Sequence, residues 1–401
     1  MEKFGAALRR LRGDLTTREL ASRAAVSKSH ISDLETGRRA PSAQVATALD
    51  RALSANGELV ALYSRSISAA PHYQAPAEAS GTTDYVSEIR DTNLHLIALD
   101  SRYGGTGIAD VALQAFRSAR RTIATGAHTA NETDLQAATG ETGEIAAWCL
   151  YDGDRLDESR VVTHEAMFMS RLAGDRAMEL FSLSHLALID LHQRHSRDAL
   201  RIAESVMDPG FVAPRLGALF KIRAARALAQ SGDRRRSLET LAQAESALLD
   251  SVHPHDPHWT WWLDSSEMAV QRGLLYLELG EYSAAMPHLN DAAHGRIRRD
   301  PYAPANGTSI TAHGEEWGRA AYNDLIHLFL ALAMAEAWSD AESIAATVTE
   351  FTREVVSARS EVMLKTAVRL VFSASPQGGP SGSLLDLSEE ICRARAWSVT
   401  R

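Results

Sequence analysis

Apolar residues recur at helical spacing through most of the 401-residue chain, and strand-like alternation is almost absent after residue 84. At the start of the chain, Phe4, Leu8 and Leu11 are separated by four and then three residues, which is the spacing of one face of an α-helix. Gly13 follows and supplies a stop signal. The pattern predicts an all-α protein whose first helix ends near residue 13.

Signals for helix starts and stops divide the N-terminal part of the chain into five short helices. "TTRE" places Thr16 three residues before Glu19, and this capping box predicts the start of a second helix. Ser27 is a good N-cap for a third helix, and Gly37 can end it by adopting a positive φ. "PSAQVATALDRAL" predicts a fourth helix, and a fifth is expected within 57–66.

The third helix has two different faces. Ile31 and Leu34 share one side, which we expect to pack inward. Glu35 lies near the inner edge, where an unpaired carboxylate would be costly, and Arg10 on the first helix is its natural partner. The opposite face has no apolar residue and consists of Lys28, Ser29, Ser32, Asp33 and Thr36. The pattern therefore predicts a small helical unit that presents one polar helix face.

Charge is distributed unevenly along the chain. The net charge is −9, but residues 1–66 carry +4 and the remainder carries −13. Lys28, Arg38 and Arg39 lie on or directly after the third helix. This asymmetry is typical of a polyanion-binding unit joined to an acidic body. Taken alone, such a charged face is better explained as a solvated surface.

The stretch "LTTRELASRAAVSKSHISDLETGRRAPS" resembles the helix-turn-helix of the phage-repressor-like family, also called the XRE family. The resemblance covers residues 4–54, with "ELA", "VS", "IS.LE.G" and "PS" in register. It implies a five-helix bundle for residues 1–66, whose third helix enters the major groove of DNA. A minority of such modules serve mainly as protein-interaction domains, and that alternative stays open.

The same resemblance implies roles for individual residues. It places Lys28, Ser29 and Asp33 at base edges, where lysine can donate to guanine and aspartate can accept from cytosine. It pairs Arg10 with Glu35 in a structural ion pair. Phosphate-facing positions are occupied by Ser27, Ser32, Arg38 and Arg39. Thr17 stands where the family usually has a longer glutamine that touches a phosphate and braces the next helix.

Residues 67–84 are rich in Ala, Pro, Ser and Gly, which predicts a flexible linker, with an ordered strap as the alternative. Residues 85–401 show internal repeats. In "GLLYLELGEYSAAMPHLNDAA" the packing positions resemble those of a tetratricopeptide repeat, a helix–turn–helix hairpin. Similar steps recur around 232 and 336, with looser turns near 153 and 194, and residues 298–316 look like an insertion.

Stacked hairpins of this kind form a superhelix with a concave groove. The combination of the two parts resembles actinobacterial regulators that have an XRE-type head and a tetratricopeptide-like body. That layout implies a homodimer on pseudo-palindromic double-stranded DNA, regulated by a peptide or small-molecule effector in the groove.

"HPHDPHWTWW" is the most unusual stretch of the body. Its His253, His255, Asp256 and His258 could ligate a metal, but no second ligand cluster accompanies them, so we predict no metal site. The aromatic and acidic residues that follow either pack between repeats or form the wall of a ligand site. The predicted wall consists of Trp259, Trp262, Asp264 and Glu267.

Other classes of function find little support in the sequence. No apolar run of about 18 residues or more occurs, so we expect no membrane span. Cys149 and Cys392 are far apart, which fits a reducing cytoplasm. No complete catalytic set is present, so we expect neither an enzyme nor a cofactor. The sequence favours a cytoplasmic transcriptional regulator over a protein-interaction scaffold with a helix-turn-helix docking module.

Overall fold

Every regular element in the described part of the chain is an α-helix. The computed structural model describes residues 4–13, 15–24, 28–36, 43–53, 55, 57–59, 62, 82–125, 131–206, 213–249, 257, 260, 262–297, 318–375 and 377–398. The chain divides into two compact units. The first is residues 1–79 with the short segments 213–215 and 246–260, and the second holds the other residues from 80 onward.

The first unit is a small bundle around one apolar core. Its helices are α1 Phe4–Arg12, α2 Thr17–Ala24, α3 Lys28–Glu35 and α4 Ala43–Ala52. Their inward residues include Leu8, Leu20, Ile31, Leu34 and Leu49, each at most 1% exposed. The fifth predicted helix is described only at 57–59 and 62, where Leu59 and Leu62 join the same core.

The predicted capping box at the start of α2 is confirmed. The backbone N–H of Thr16 donates to Glu19 Oε2 at 2.8 Å, and the N–H of Glu19 donates to Thr16 Oγ1 at 3.2 Å. The reciprocal bonds satisfy two donors that the helix itself cannot. Accepting from the Thr16 backbone and hydroxyl lowers the pKa of Glu19.

The second unit begins within the stretch predicted as a linker. Its first helix, α5, starts at Thr82, a few residues before the predicted end of the linker at residue 84. Residues 67–81 and the predicted insertion at 298–316 lie outside the described residues. The prediction of a flexible linker is therefore neither supported nor opposed by the described helices.

The second unit consists of consecutive helix pairs, which is consistent with an α-superhelix. The first helices of the pairs are α5 Thr82–Tyr103, α7 Glu132–Asp152, α9 Arg176–His192, α11 Pro214–Gln230, α13 Ser265–Glu278, α15 Gly318–Met334 and α17 Ala358–Ser373. Their partners are α6 Ala109–Ala124, α8 Leu156–Leu172, α10 Ser196–Glu204, α12 Arg234–Leu249, α14 Tyr282–Ile297, α16 Trp338–Phe351 and α18 Gly382–Ala394. No described helix is both long and apolar enough to cross a membrane.

The short turns share one hydrogen-bond pattern. At Gly232 (φ +79°), the glycine N–H donates to Ala229 O and the N–H of Asp233 donates to Leu228 O, both at 2.9 Å. This is a Schellman motif, which needs a residue in the left-handed region. The same pair of bonds surrounds the left-handed residues Asp154, Gly174, Arg194, Gly280 and Glu336. The five predicted turns thus lie where the sequence placed them, and the turn at Gly174 was not predicted.

The clearest sequence repeat is also a close-packed hairpin. A Cβ on Gly273 of α13 would lie 2.5 Å from the Leu289 side chain of α14, so only glycine allows the two helices this approach. Ala285, Leu289 and Ala292 are fully buried. Gly273 therefore sets the distance between the helices, and the other repeat positions are buried in the hairpin, as the repeat pattern predicts.

In the five middle pairs, from α7–α8 to α15–α16, the first helix is more enclosed than the second. In α15, residues 321–329 are buried without interruption, whereas α16 buries only one face. A helix that is buried all round lies in an interior. The first helices of these pairs therefore form the inner layer of the second unit, and their partners form its outer layer.

The two ends of the second unit meet. Helix α15 packs on α5, and α17 packs on α7. The N–H of Val356 donates to Tyr103 O at 2.7 Å, and the Ser357 hydroxyl donates to Asp152 Oδ1 at 2.7 Å. Arg319 pairs with Asp100 at 2.9 Å. These contacts join positions more than 200 residues apart and close the series of helix pairs.

Candidate nucleic-acid interface

Helix α3 is held against the first unit by its apolar face. Ile31 is fully buried and Leu34 is 1% exposed. A Cβ on Gly5 would lie 2.3 Å from Leu34 O, so the glycine lets α1 approach the C-terminal end of α3. Packing of this kind fixes the orientation of the opposite, polar face. That polar face is available to a partner.

The described part of the polar face agrees with the sequence prediction. Lys28 and Thr36 are exposed, and Ser32 and Asp33 are half-buried. The Thr36 hydroxyl donates to Ser32 O at 2.8 Å and to Asp33 O at 3.2 Å, so it satisfies two carbonyl oxygens at the C-terminal end of α3. Thr17 is the first residue of α2 and is half-buried. The remaining predicted contacts, namely Ser27, the Ser29 side chain, Arg38 and Arg39, lie outside the described residues.

Glu35 has a different partner from the one predicted. Its carboxylate accepts two bonds from Arg12, at 2.5 and 3.2 Å, and lies 3.6 Å from Arg9. Arg10 instead pairs with Glu58. The predicted Arg10–Glu35 pair is therefore corrected to an Arg12–Glu35 pair. The hydrogen bond to Glu35 raises the pKa of Arg12.

Helical periodicity explains this correction. Gly5, Arg9 and Arg12 are spaced at i, i+4 and i+7, so they share the face of α1 that packs against the end of α3. Arg10 is about 100° further round the helix, and it reaches Glu58 instead. The need of Glu35 for a cation was predictable, but the choice among three arginines depends on which face of α1 packs.

The arrangement is suited to a groove in a nucleic acid. One short helix presents a lysine, a hydroxyl and a carboxylate from a rigid base, and no apolar residue lies among them. The major groove of B-DNA is wide enough for an α-helix and shows a distinct pattern of donors and acceptors for each base pair. A polar helix face on a net-positive unit is the arrangement that such readout requires.

Two of the four residues predicted to form a ligand wall, Asp264 and Trp262, make contacts within the second unit. The Asp264 carboxylate caps α13 by accepting from the N–H groups of Ser266 and Glu267, at 2.8 and 2.9 Å. Trp262 is half-buried, with its ring 6.3 Å from that of Phe181. Trp259 and the four potential metal ligands between 253 and 258 lie outside the described residues. Within the described ranges, no group of three metal-binding side chains occurs.

Comparison with known proteins identifies the first unit. Residues 3–62 match the family described as "Helix-turn-helix domain". The match spans α1 to α4, including the polar helix α3. The search of curated proteins found no match. The chain therefore has an N-terminal helix-turn-helix domain followed by a long region of stacked helix pairs, and the domain points to DNA as a partner.

Proposed function

We propose that this chain is a sequence-specific DNA-binding transcriptional regulator of the XRE type. The observation that carries the proposal is the matched helix-turn-helix domain, in which Ile31 and Leu34 bury one face of α3 and leave the polar face outward. Lys28, Ser29 and Asp33 contact base edges. The phosphate contacts are Thr17, Ser27, Ser32, Arg38 and Arg39.

The proposal assigns two tasks to the second unit, which is tetratricopeptide-like. It dimerises, so that two copies of α3 enter successive major grooves about 34 Å apart on a pseudo-palindromic site. It also senses an effector. The effector can change the spacing of the two helix-turn-helix domains in the dimer only if it binds the conformation with one spacing more tightly than the other. The closed series of helix pairs supports this role because it gives the unit an enclosed inner layer.

Paired substitutions separate base readout from phosphate contact. We expect Lys28→Ala to weaken binding to the operator by about 1–3 kcal/mol and to reduce discrimination against random DNA. Arg38→Ala should weaken binding to both DNAs alike and reduce the slope of log affinity against log salt by about one. The measurement is fluorescence anisotropy with the full chain and its own upstream DNA, across a salt series.

Two outcomes would contradict these roles. Equal losses on operator and random DNA for both variants would reject the assignment of Lys28 to base edges. Unchanged binding in both variants would reject α3 as the contact surface. Specific binding to no DNA at all would favour the scaffold, in which the first unit docks on a protein.

A further inference from the structure

The inner layer of the second unit carries a cluster of cationic and polar side chains that DNA binding does not use. The cluster lies on first helices of the helix pairs, most of which form the enclosed layer. Its members are Tyr151, His192, Arg223, Arg226, His327 and Arg359, which lie on α7, α9, α11, α15 and α17. Side chains from five helices far apart in sequence thus come together. The Tyr151 ring lies 5.6 Å from that of His192 and 5.2 Å from the Arg359 guanidinium, and the charges of Arg226 and Arg359 act on both histidines. Such a convergence of polar groups is typical of a ligand site rather than of repeat packing.

Arg223 is the least explained member of this cluster. It is 6% exposed, and within the described part of the chain it has no hydrogen-bond or ion-pair partner. Its Nε atom is fully buried without an acceptor. Burial, followed by the charge of Arg226, lowers the pKa of Arg223 to about 10. A buried guanidinium without a counter-ion is strongly unfavourable, so its presence calls for an anion.

Two nearby carboxylates each form an ion pair with another arginine. Glu278 Oε1 forms an ion pair with Arg226 at 2.5 Å and accepts from Gln230 at 3.1 Å. Asp152 Oδ1 lies 3.3 Å from Arg359 and accepts from Ser357. Arg226 and Arg359 thus each have a counter-ion of their own, whereas no ion pair joins Arg223 to either carboxylate.

Glu267 is the other acidic side chain whose charge acts on Arg223. Glu267 Oε1 accepts from Gln271 at 2.7 Å, and within the described ranges no ion pair joins Glu267 to Arg223. His327 adds no positive charge to the cluster. Burial and the charges of Arg359 and Arg226 lower the pKa of His327 to about 3, so this ring is neutral near pH 7.

Several other buried atoms of the first helices lack hydrogen-bond partners within the described ranges. More than about nine in ten buried polar groups in proteins are hydrogen-bonded, so a group of exceptions on one layer is informative. They are His185 Nε2, Gln271 Oε1, Glu278 Oε2, His327 Nδ1 and Arg359 Nε. Donors and acceptors are both present, which fits a polar ligand with its own hydrogen-bonding groups.

We propose that the inner layer of the second unit binds a small organic anion, with Arg223 as its principal contact and Arg226, His327 and Arg359 around it. A guanidinium donates two parallel hydrogen bonds to a carboxylate or a phosphate group, so either chemistry satisfies Arg223. Tyr151 forms an aromatic surface beside the anion, since its ring lies 5.2 Å below the Arg359 guanidinium. The inference names the effector class of the proposed regulator and rests on that proposal for its role in regulation.

The test combines anion binding with the stability of the unliganded protein. Acetate, benzoate, glutamate and inorganic phosphate are titrated into the full chain by calorimetry, with sodium chloride holding the ionic strength constant. At least one of these probes should bind saturably, and Arg223→Met should weaken that binding by about thirtyfold or more. Without anion, the same variant should melt at a higher temperature than the wild type, because it removes an uncompensated buried charge.

Two further variants keep the test decisive. Arg272→Met is the control, because Arg272 on α13 pairs with Glu245 and is about a quarter exposed, so its loss should leave anion binding unchanged. Arg223→Lys keeps the charge but loses the planar fork, so it should fold normally and bind the anion more weakly. It replaces Arg223→Met if that variant does not fold.

The outcomes distinguish this site from the proposed function. Saturable binding that depends on Arg223 but not on Arg272 supports the site. Binding of none of the four probes, binding that Arg223 substitutions leave unchanged, or a lower melting temperature for unliganded Arg223→Met overturns it. DNA binding is measured separately on the same samples, so its failure would reject the regulator without affecting the anion result.

Discussion

At the scale of single residues, the buried carboxylate of Glu35 shows which arginine holds the helix-turn-helix together. The side chain of Glu35 is 7% exposed and that of Arg12 is 18% exposed, whereas the Arg10 side chain is 50% exposed. Only the Arg12 pair is shielded enough from water for its loss to leave a nearly buried charge without a partner.

Substitution of these two arginines gives opposite expectations. Arg12→Met should lower the local stability of the first unit by about 2 kcal/mol, because Glu35 keeps its burial but loses two hydrogen bonds. Arg10→Met, the matched control, should cost at most about 0.5 kcal/mol, as expected for an exposed pair. Hydrogen exchange of the α1 and α3 amides in the full chain measures both. A larger loss for Arg10→Met would restore the pairing that the sequence suggested.

At the scale of helices and turns, the left-handed residues set the geometry of the helix pairs. Gly280 has φ +74° between α13 and α14, and no atom lies within 4 Å of the place that a Cβ would occupy there. A side chain at this position would therefore cost stability through backbone conformation alone, without a steric clash. Because backbone conformation is the only cost of the substitution, this turn tests the Schellman geometry directly.

Alanine substitutions at two glycines should change the free energy of unfolding in opposite directions. Gly280→Ala should destabilise the chain by about 1 kcal/mol, because alanine resists the left-handed region. Gly217→Ala in α11 should stabilise it by about 0.5–1 kcal/mol, because that glycine lies in a helix with open space around it. Urea unfolding of both variants provides the comparison. A loss at Gly217 equal to that at Gly280 would contradict the conformational explanation.

The turns are also where sequence reasoning succeeded best. A left-handed residue favours glycine, and the apolar steps on either side follow a fixed spacing, so Gly232 and Gly280 are visible in the sequence. Arg194 and Glu336 adopt the same conformation although neither is glycine, and only the spacing of the packing positions on either side indicated these turns. The α17–α18 pair was missed because α17 ends at Ala374 in an extended conformation rather than in such a turn.

At the scale of the whole second unit, the closing contacts could not be predicted from sequence. They join the ends of a region of more than 200 residues, and no local pattern specifies a contact at that distance. The loop "GGTG" illustrates this limit. Nothing in these four residues, 104–107, indicates a distant contact, whereas a Cβ on Gly104 would lie 2.2 Å from Val356 O, so the loop is the docking point for the other end of the unit.

The inner cluster was missed for a similar reason. Arg223 and Arg359 are ordinary residues of predicted helices, and nothing in the sequence distinguishes a buried arginine from a solvated one. The predicted wall of Trp259, Trp262, Asp264 and Glu267 was chosen for its unusual composition and shares no residue with the proposed cluster. Burial without a partner is a property of the folded unit, and it appears only once the first helices are brought together.

Asp152 is the residue on which closure of the second unit depends most. It is fully buried and accepts from Gly105 N–H, the Ser357 hydroxyl and Arg359. Asp152→Ala should therefore destabilise the full chain by about 3 kcal/mol or more, because it leaves a buried guanidinium and two donors without partners. Hydrogen exchange should accelerate at 103–106 and 356–360 together.

The control for closure is Asp110, whose side chain is 84% exposed where it pairs with Arg155. Asp110→Ala should change the free energy of unfolding by less than about 1 kcal/mol. If the two aspartate variants unfold at the same urea concentration, or if exchange accelerates at only one end of the unit, the contacts at Asp152 do not close the series of helix pairs.

The most direct test of the whole account is binding of the purified full chain to its own upstream DNA, with excess random duplex as competitor and a salt series. The account predicts tight binding that survives the competitor and weakens as salt rises, because base contacts supply specificity and phosphate contacts supply the salt dependence. Two results together would contradict sequence-specific regulation and favour a scaffold. The competitor would abolish binding to the upstream DNA, and no duplex from a random pool would be bound in preference to the competitor.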